Sequence, residues 1–155
     1  MSAGFRYKPY ERLENPSGSA APSTANTRLE ETGPRPIDIA WLAGLLDGEG
    51  CFTSCLSGSP SIGVDSISRV IIEKVYEVCG GTCSCVSRKT RSNHFVYRWR
   101  VYGKNAISVA ELTAPYLRAK GKQAIVLSQL LRYPPHSAMR KALVGRRRSL
   151  KKADT

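Results

Sequence analysis

Apolar positions between residues 37 and 133 follow two spacings, one near 3.6 residues and one near 2. Helical spacing occurs near residues 38–49, 67–79 and 104–132, and the last stretch is interrupted at Pro115. Alternating stretches between the helices predict four strands, at about residues 51–57, 62–66, 82–88 and 95–102. This order predicts an α+β fold, with a four-stranded antiparallel sheet and the helices on one of its faces.

Local signals mark the ends of the predicted helices. Asp38 precedes the first helical positions and is expected to cap that helix. Gly80 and Gly81 are expected to stop the second helix. The apolar positions of the second helix recur at helical spacing: Val70, Ile71, Val75, Val78 and Cys79.

The two faces of the last two strands differ in character. In the fourth strand, alternation places Phe95, Tyr97, Trp99 and Val101 on one face, opposite Arg98 and Arg100. The third strand leaves two alternatives open. The side chains that point away from the helices are either Cys83, Cys85 and Ser87 or Ser84, Val86 and Arg88.

Composition divides the chain into three parts. Residues 1–36 contain a Pro-, Ser- and Gly-rich stretch and predict a flexible N-terminal tail. Residues 37–133 hold the periodic pattern and form the predicted domain. Residues 134–155 carry seven basic side chains and one acidic side chain, and predict a basic C-terminal tail with a short helix near 137–147. Such a run is typical of a solvated, frayed end or of a non-specific phosphate clamp.

The charge of the whole chain narrows its partners. Its 155 residues include 24 Lys and Arg against 12 Asp and Glu, a net charge of +12, which favours a polyanionic partner. No stretch approaches the roughly 20 apolar residues of a membrane span, so no membrane partner is expected. Five cysteines, an odd number without the paired spacing of zinc knuckles, favour free thiols in a reducing compartment.

Two glycines share one face of the first predicted helix. Gly44 and Gly48 are four residues apart, and glycine inside a helix costs about 0.5–1 kcal/mol relative to alanine. They accommodate either a bulky neighbour in an ordinary core or the same helix of a second subunit across a two-fold axis. The second arrangement would bring two copies of Glu49 together, as a divalent-metal site suited to Mg²⁺.

The segment LAGLLDGEG, residues 42–50, resembles the motif of the LAGLIDADG homing endonucleases. The Leu-Ala-Gly start, Asp47, Gly48 and the closing Gly50 agree with that motif, and Glu49 keeps the carboxylate of its last acid. The likeness spans roughly residues 37–133 and includes the αββαββα order. Three further segments resemble the family: Gly80-Gly81, Tyr97-Arg98-Trp99-Arg100-Val101, and residues 116–124 with the basic active-site lysine.

The resemblance implies a site-specific double-strand DNA endonuclease. It would act as a homodimer on a pseudo-palindromic target, by metal-dependent phosphodiester hydrolysis with Mg²⁺. Glu49 and the Gly48 carbonyl would hold the metal. Lys120 would be the base or charge stabiliser, Lys122 a phosphate contact, and Ser66 the polar residue that orders water. The first-helix interface would comprise Leu42, Ala43, Gly44, Leu45, Asp47 and Gly48.

The uncovered face of the sheet is the expected DNA-binding surface. A strand ribbon can enter the major groove, where each base pair presents its own pattern of donors and acceptors. The candidate residues on the first strand are Thr53, Cys55 and Ser57. The basic candidates for phosphate or guanine contact are Arg88, Lys89, Arg91, Arg98 and Arg100.

Two alternatives accompany this hypothesis. The first is a non-cutting derivative of the same fold, either an intron maturase, which would bind RNA, or a DNA-binding regulator. The second is a basic RNA-binding module whose likeness to the family is accidental. Intact Glu49 and Lys120 favour cutting. A single motif of this kind suits a mobile element, and hence an intracellular location in a bacterium, a phage-infected cell or an organelle.

Overall fold

The structure, a computed structural model, describes residues 33–54, 59–87 and 95–153. These ranges contain five α-helices, four strands and one short 3-10 helix. In chain order the elements are α1 (Pro36–Glu49), β1 (Gly50–Ser54), β2 (Pro60–Ser66), α2 (Arg69–Cys79), β3 (Thr82–Ser87), β4 (Phe95–Tyr102), α3 (Gly103–Thr113), α4 (Gly121–Ser128), the 3-10 helix Leu130–Arg132, and α5 (Ala138–Ala153). No described helix is long and apolar enough to cross a membrane.

The four strands form one antiparallel sheet in the order β1-β2-β4-β3. β1 and β2 are adjacent in sequence and in the sheet, and Gly50 lies opposite Val64. β4 occupies the interior of the sheet, where Arg98 lies opposite both Asp65 of β2 and Ser84 of β3. The predicted α+β architecture is confirmed, and β4 has the predicted bounds.

One face of the sheet packs against the helices and is buried. Its central side chain is Trp99, which is fully buried and donates a hydrogen bond from Nε1 to the Gly80 carbonyl at 2.6 Å. Phe52, Ile62, Val64 and Val101 are also buried on this face. The helices supply the rest of this core, chiefly Leu46, Val75, Val109 and Leu127. The opposite face carries Arg98 and Arg100, as alternation predicts.

Strand pairing decides between the two alternatives for β3. Cys83 lies opposite Trp99 and therefore shares the helix side, whereas Ser84 lies opposite Arg98 on the open side. Burial raises the pKa of the Cys79 thiol to about 12, with a smaller contribution from nearby Cys83. Cys79 is a free thiol that is buried in the core.

The prediction that Asp38 caps the first helix is wrong. α1 begins two residues earlier, with Pro36 at its first position, where a missing amide hydrogen costs nothing. The Asp38 carboxylate accepts a hydrogen bond from Arg35 Nε at 2.8 Å and pairs with Lys74 Nζ of α2 at 3.4 Å. It therefore ties α1 to α2 instead of binding amides.

α2 begins at Arg69 and uses part of the predicted apolar face. Val75 and Cys79 are buried, together with Ile72, but Val70 is 73% exposed because it lies on the outward side of the first turn. The helix stops at Gly80 and Gly81, whose φ angles of 63° and 102° favour glycine. This termination confirms the prediction made from the glycine pair.

The basic C-terminal run is a packed helix over residues 138–153, not a frayed end. α5 is longer than the predicted segment 137–147 and adds Leu143 to the core. Arg140 is buried, and its Nη1 donates to the Tyr133 carbonyl at 3.0 Å. The part of this run that remains available to a partner is its exposed outer side.

Arg147 of α5 protects the edge of the sheet. β1 is an edge strand, and such strands present unpaired backbone groups. Arg147 Nη1 donates a hydrogen bond to the Phe52 carbonyl of β1 at 2.6 Å, and the guanidinium is buried there. This burial lowers the pKa of Arg147 below its usual value. Arg147, like Arg140, thus has a structural partner within the fold.

We predict that Arg147→Ala lowers the free energy of unfolding by about 1–3 kcal/mol, because the buried Phe52 carbonyl loses its donor. The matched control is Arg146→Ala, an exposed neighbour on the same helix, which should change stability by less than about 0.5 kcal/mol. Urea unfolding of both variants, followed by circular dichroism, gives the comparison. Equal effects would contradict this role of Arg147.

Candidate functional site

The C-terminal end of α1 is joined to the segment that precedes α4. The Asp47 carboxylate accepts hydrogen bonds from the backbone amides of Arg118 at 2.6 Å and Lys120 at 2.9 Å. Burial raises the pKa of Asp47. Hydrogen bonds from these amides and from that of Ala119 lower the pKa by more, so the net shift is downward. An ionised Asp47 therefore holds this segment against the end of α1.

The Lys120 ammonium completes the same junction. Its Nζ donates to the carbonyl oxygens of Gly50 at 2.8 Å, Leu46 at 3.0 Å and Gly48 at 3.4 Å. The carbonyls of Leu46 and Gly48 lie in the last turn of α1, where they carry the negative end of the helix dipole. A cation is the group that satisfies them best. We call Asp47, Lys120 and these three carbonyls the α1 latch.

Glu49 lies beside the α1 latch as the last residue of α1, and it is exposed. The junction therefore assembles an accessible carboxylate, a carbonyl oxygen at Gly48 and the ammonium of Lys120. Carboxylate and carbonyl oxygens are the hard donors that Mg²⁺ prefers, so the residues present fit that ion. The described residues contain no cluster of three acidic, His or Cys side chains that could hold a metal ion, and the Asp47 carboxylate is engaged by backbone amides, so Glu49 is the accessible carboxylate of this junction.

Ser66 lies on β2, two residues beyond Val64, which is the Cα partner of Gly50. It is the last residue of β2, and its Cα partner is Tyr97 of β4. Its Oγ accepts a hydrogen bond from the Ser68 amide at 3.1 Å, just before α2 begins. No hydrogen bond joins it to Glu49 or Lys120 in the part of the chain that is described. Its role in ordering water remains a prediction.

Lys122 has a simpler setting. It lies in the first turn of α4, two residues after Lys120, and it is exposed. It is therefore accessible on the same element that carries the latch lysine. Its assignment as a phosphate contact stays a prediction.

The outward face of α1 differs from the predicted interface. Leu42 and Ala43 are 2% and 0% exposed because they pack in the core of their own chain, so they cannot line an interface. Asp47 turns into the α1 latch. The face that remains open, called the α1 stripe below, consists of Ile37, Trp41, Gly44 and Gly48, with half-buried Leu45 at its margin.

The α1 stripe follows helical spacing and is smooth where the glycines lie. A Cβ atom added at Gly44 or Gly48 would meet nothing within 4 Å. Among the described residues, these glycines therefore accommodate no neighbour, as an ordinary core helix would require. Ile37 and Trp41 were missed in the sequence, although their positions seven and three residues before Gly44 place them on the same face.

The open face of the sheet is polar and charged. Thr53 Oγ1 and Ser61 Oγ are 2.6 Å apart across β1 and β2. Arg98 and Arg100 of β4 both contact Asp65 of β2. The other predicted DNA-binding residues lie outside the described residues: Cys55, Ser57, Arg88, Lys89 and Arg91.

The contact of Asp65 with both arginines on this face was not predicted from the sequence. Asp65 directly follows the buried Val64 in β2. Neighbouring residues of a strand point to opposite faces, so this position indicates the open side of the sheet. Its partners could not be read from the pattern, because spacing within one strand does not set which residue of β4 lies opposite.

Solved structures share this architecture. The homing endonuclease I-CvuI, in complex with its target in the presence of Ca, aligns with a TM-score of 0.59 and 22% identity over 74% of this chain and 82% of that one. I-CvuI with the I-CreI target in the presence of Mg, its DNA not cleaved, aligns with a TM-score of 0.60. The identity is again 22%, over 74% of this chain and 82% of that one. An archaeal intron-encoded homing endonuclease, I-Vdi141I, complexed with DNA, aligns with a TM-score of 0.49 and 11% identity over 75% and 98%.

No family model matches the sequence, and no curated protein matches it significantly. The I-CvuI alignments nevertheless show that the chain has the homing-endonuclease fold. The architecture implied by the motif at residues 42–50 is thereby confirmed.

We predict that Asp47→Asn destabilises the fold at neutral pH by about 1–3 kcal/mol, because a neutral amide holds the two backbone amides less well. The pKa of Asp47 is lower in the folded chain than its ordinary 3.8, so its contribution is present above that pH and is lost as the pH falls through the folded pKa.

Urea unfolding at a series of pH values tests this. The stability difference between wild type and Asp47→Asn should narrow as the pH falls below about 3.8. Glu111→Gln, which removes an exposed carboxylate of α3, is the control and should have little effect. A difference that stays constant to the lowest pH would contradict the role of the ionised carboxylate.

Proposed function

We propose that this protein is a site-specific double-strand DNA endonuclease that acts as a homodimer and requires a divalent metal, Mg²⁺. The observation that carries the proposal is the α1 latch, which holds Lys120 beside the exposed carboxylate of Glu49. The shared fold with I-CvuI, whose structures contain target DNA with Ca or Mg, supports the same conclusion.

Glu49 and the Gly48 carbonyl would hold the metal. A bound Mg²⁺ supplies a Lewis acid for the phosphoryl oxygen and lowers the pKa of its water. Lys120 contributes a positive charge that stabilises the charge developing on the phosphate, because its ammonium is already oriented by three carbonyls. Lys122, exposed on the same helix, holds a neighbouring phosphate.

The homodimer completes this site. The α1 stripe exposes Ile37 by 68% and Trp41 by 38% beside two open glycines, a surface suited to close approach by a second helix. A second copy packed on it would be related by a two-fold axis. That arrangement adds a second Glu49 to the single carboxylate of one chain, and it gives each strand of a duplex its own Lys120.

The open sheet face would bind the DNA. Arg98 and Arg100 present positive charge on β4, an interior strand, in a chain with a net charge of +12. Each copy would read one half-site in the major groove, so the target should be pseudo-palindromic. The exposed outer side of α5 adds basic side chains that hold flanking phosphates without reading sequence.

We predict that Glu49→Gln lowers cleavage in Mg²⁺ by roughly 100-fold or more, since the amide keeps the shape of the side chain but removes the charge that holds the metal. DNA binding should persist. The assay selects cleaved molecules from a library of randomised duplexes and then compares the variants on the selected target. The control variant Glu111→Gln, which removes an exposed carboxylate of α3, should cleave like wild type.

Two results would contradict this assignment: unchanged cleavage by Glu49→Gln, or tight binding of DNA by wild type with no cleavage of any duplex. The second result would point to a non-cutting derivative of the same fold, either a DNA-binding regulator or, if RNA is bound instead, a maturase.

We predict that Gly44→Leu converts the protein from dimer to monomer without unfolding it. The added side chain has open space in the single chain but would block close approach of a second helix. Gly145→Leu is the matched control, because Gly145 of α5 also has nothing within 4 Å of a Cβ atom. Sedimentation velocity should show a dimer for wild type and Gly145→Leu; a dimeric Gly44→Leu would contradict the interface.

A further inference from the structure

The open face of the sheet contains a carboxylate held between two guanidinium groups. Asp65 Oδ1 and Oδ2 accept hydrogen bonds from Arg98 Nε at 3.0 Å and Nη2 at 2.9 Å, a bidentate pair. Arg100 Nη1 approaches Asp65 Oδ1 at 3.0 Å. We call Asp65, Arg98 and Arg100 the Asp65 cluster.

The Asp65 cluster lies on the two interior strands of the candidate DNA-binding surface. Asp65 and Arg98 are Cα partners on the two interior strands, and Ser84 of β3 continues the row. The side chains of Asp65, Arg98 and Arg100 are 28%, 31% and 27% exposed. They are therefore ordered by their neighbours and still accessible from the open side.

Both arginines are held in one orientation. Arg100 lies flat on the sheet, since a Cβ atom at Gly63 would collide with its guanidinium, and its Nη1 also donates to the Trp99 carbonyl at 2.9 Å. The side-on edge of Arg98, formed by Nε and Nη2, is occupied by Asp65. Arg98 Nη1 makes no hydrogen bond to the described residues, so the end-on edge of the guanidinium is available to a ligand.

The carboxylate is ionised under ordinary conditions. The hydrogen bond from Arg98 lowers the pKa of Asp65, burial opposes this, and the charge of Arg100 lowers the pKa again. An anion at the centre of the cluster repels phosphate, which leaves base edges as the better ligand. Cytosine N4 is a donor that such a carboxylate accepts, and guanine O6 and N7 accept from a guanidinium edge.

We propose that Asp65 is a positioning residue that holds Arg98 for recognition of a guanine at one position of each DNA half-site. This rests on the proposed function as a DNA-binding endonuclease. A guanidinium already fixed by a bidentate partner loses little further freedom when it binds a base, which favours affinity and geometric selectivity together. Asp65 thereby contributes specificity through Arg98.

The test compares base preference at single positions. Full-length wild type, in Ca²⁺ without Mg²⁺, is used to enrich bound molecules from randomised duplexes, and each variant is then measured on the enriched target and its single-base substitutions. Wild type should require guanine at one position of each half-site. Asp65→Asn should reduce the preference for guanine over adenine there by about 10-fold, while preferences elsewhere persist.

Two further variants sharpen the comparison. Asp38→Asn removes a carboxylate that also bridges two basic side chains, Arg35 and Lys74, but it lies on α1 and should leave every base preference unchanged. Arg98→Lys keeps Asp65 and a positive charge but removes the guanidinium fork, so it should lose the preference for guanine at the same position. If the role of Asp65 were purely structural, Asp65→Asn would weaken binding to all duplexes alike.

The outcomes separate the two proposals. If wild type enriches a target and Asp65→Asn keeps its guanine preference, the positioning role is overturned and the proposed function stands. If wild type enriches no duplex, the proposed function fails, and the positioning role fails with it. If Asp65→Asn does not fold, Arg98→Lys decides: loss of the guanine at one position supports the proposal, and retention overturns it.

Discussion

The α1 latch is the interaction on which the rest of the structure depends. The Lys120 ammonium donates to three carbonyls where α1 passes into β1, those of Leu46 and Gly48 in α1 and that of Gly50 in β1. Asp47 meanwhile binds the backbone around Lys120. This reciprocal contact fixes where α4 begins and where α1 passes into β1. Glu49 lies at that passage, so the stability of the junction and the placement of the candidate metal ligand have the same cause.

The positive charge of the chain has two uses that its total conceals. Arg140 and Arg147 are buried and bind backbone carbonyls, so they contribute to the fold and not to a partner. Arg98 and Arg100 share one carboxylate and lie on the open sheet face. A surface in which cations are oriented by an anion suits recognition of base edges, whereas the exposed basic side of α5 suits phosphates of any sequence.

The α1 stripe connects the fold to the proposed chemistry. No described atom lies within 4 Å of a Cβ added at its glycines, although glycine inside a helix is unfavourable. One chain also presents a single exposed carboxylate beside its latch. A second copy on the stripe would account for both features at once, because it would cover the apolar face and supply the second Glu49. The proposed interface and the candidate metal site would thus both follow from one helix.

Sequence spacing by itself determined the order of elements, the bounds of β4, the end of α2 at its glycine pair, and the motif that contains Glu49. These are local properties, set by periods of 2 and 3.6 residues and by glycine geometry. Only the tertiary structure decided that Asp38 binds side chains, that Leu42 and Ala43 are internal, that Ser84 shares the face of Arg98, and that Arg147 is buried. The physical reason is that a period assigns residues to the faces of one element, whereas register between strands and the docking of helices depend on contacts between residues far apart in the chain.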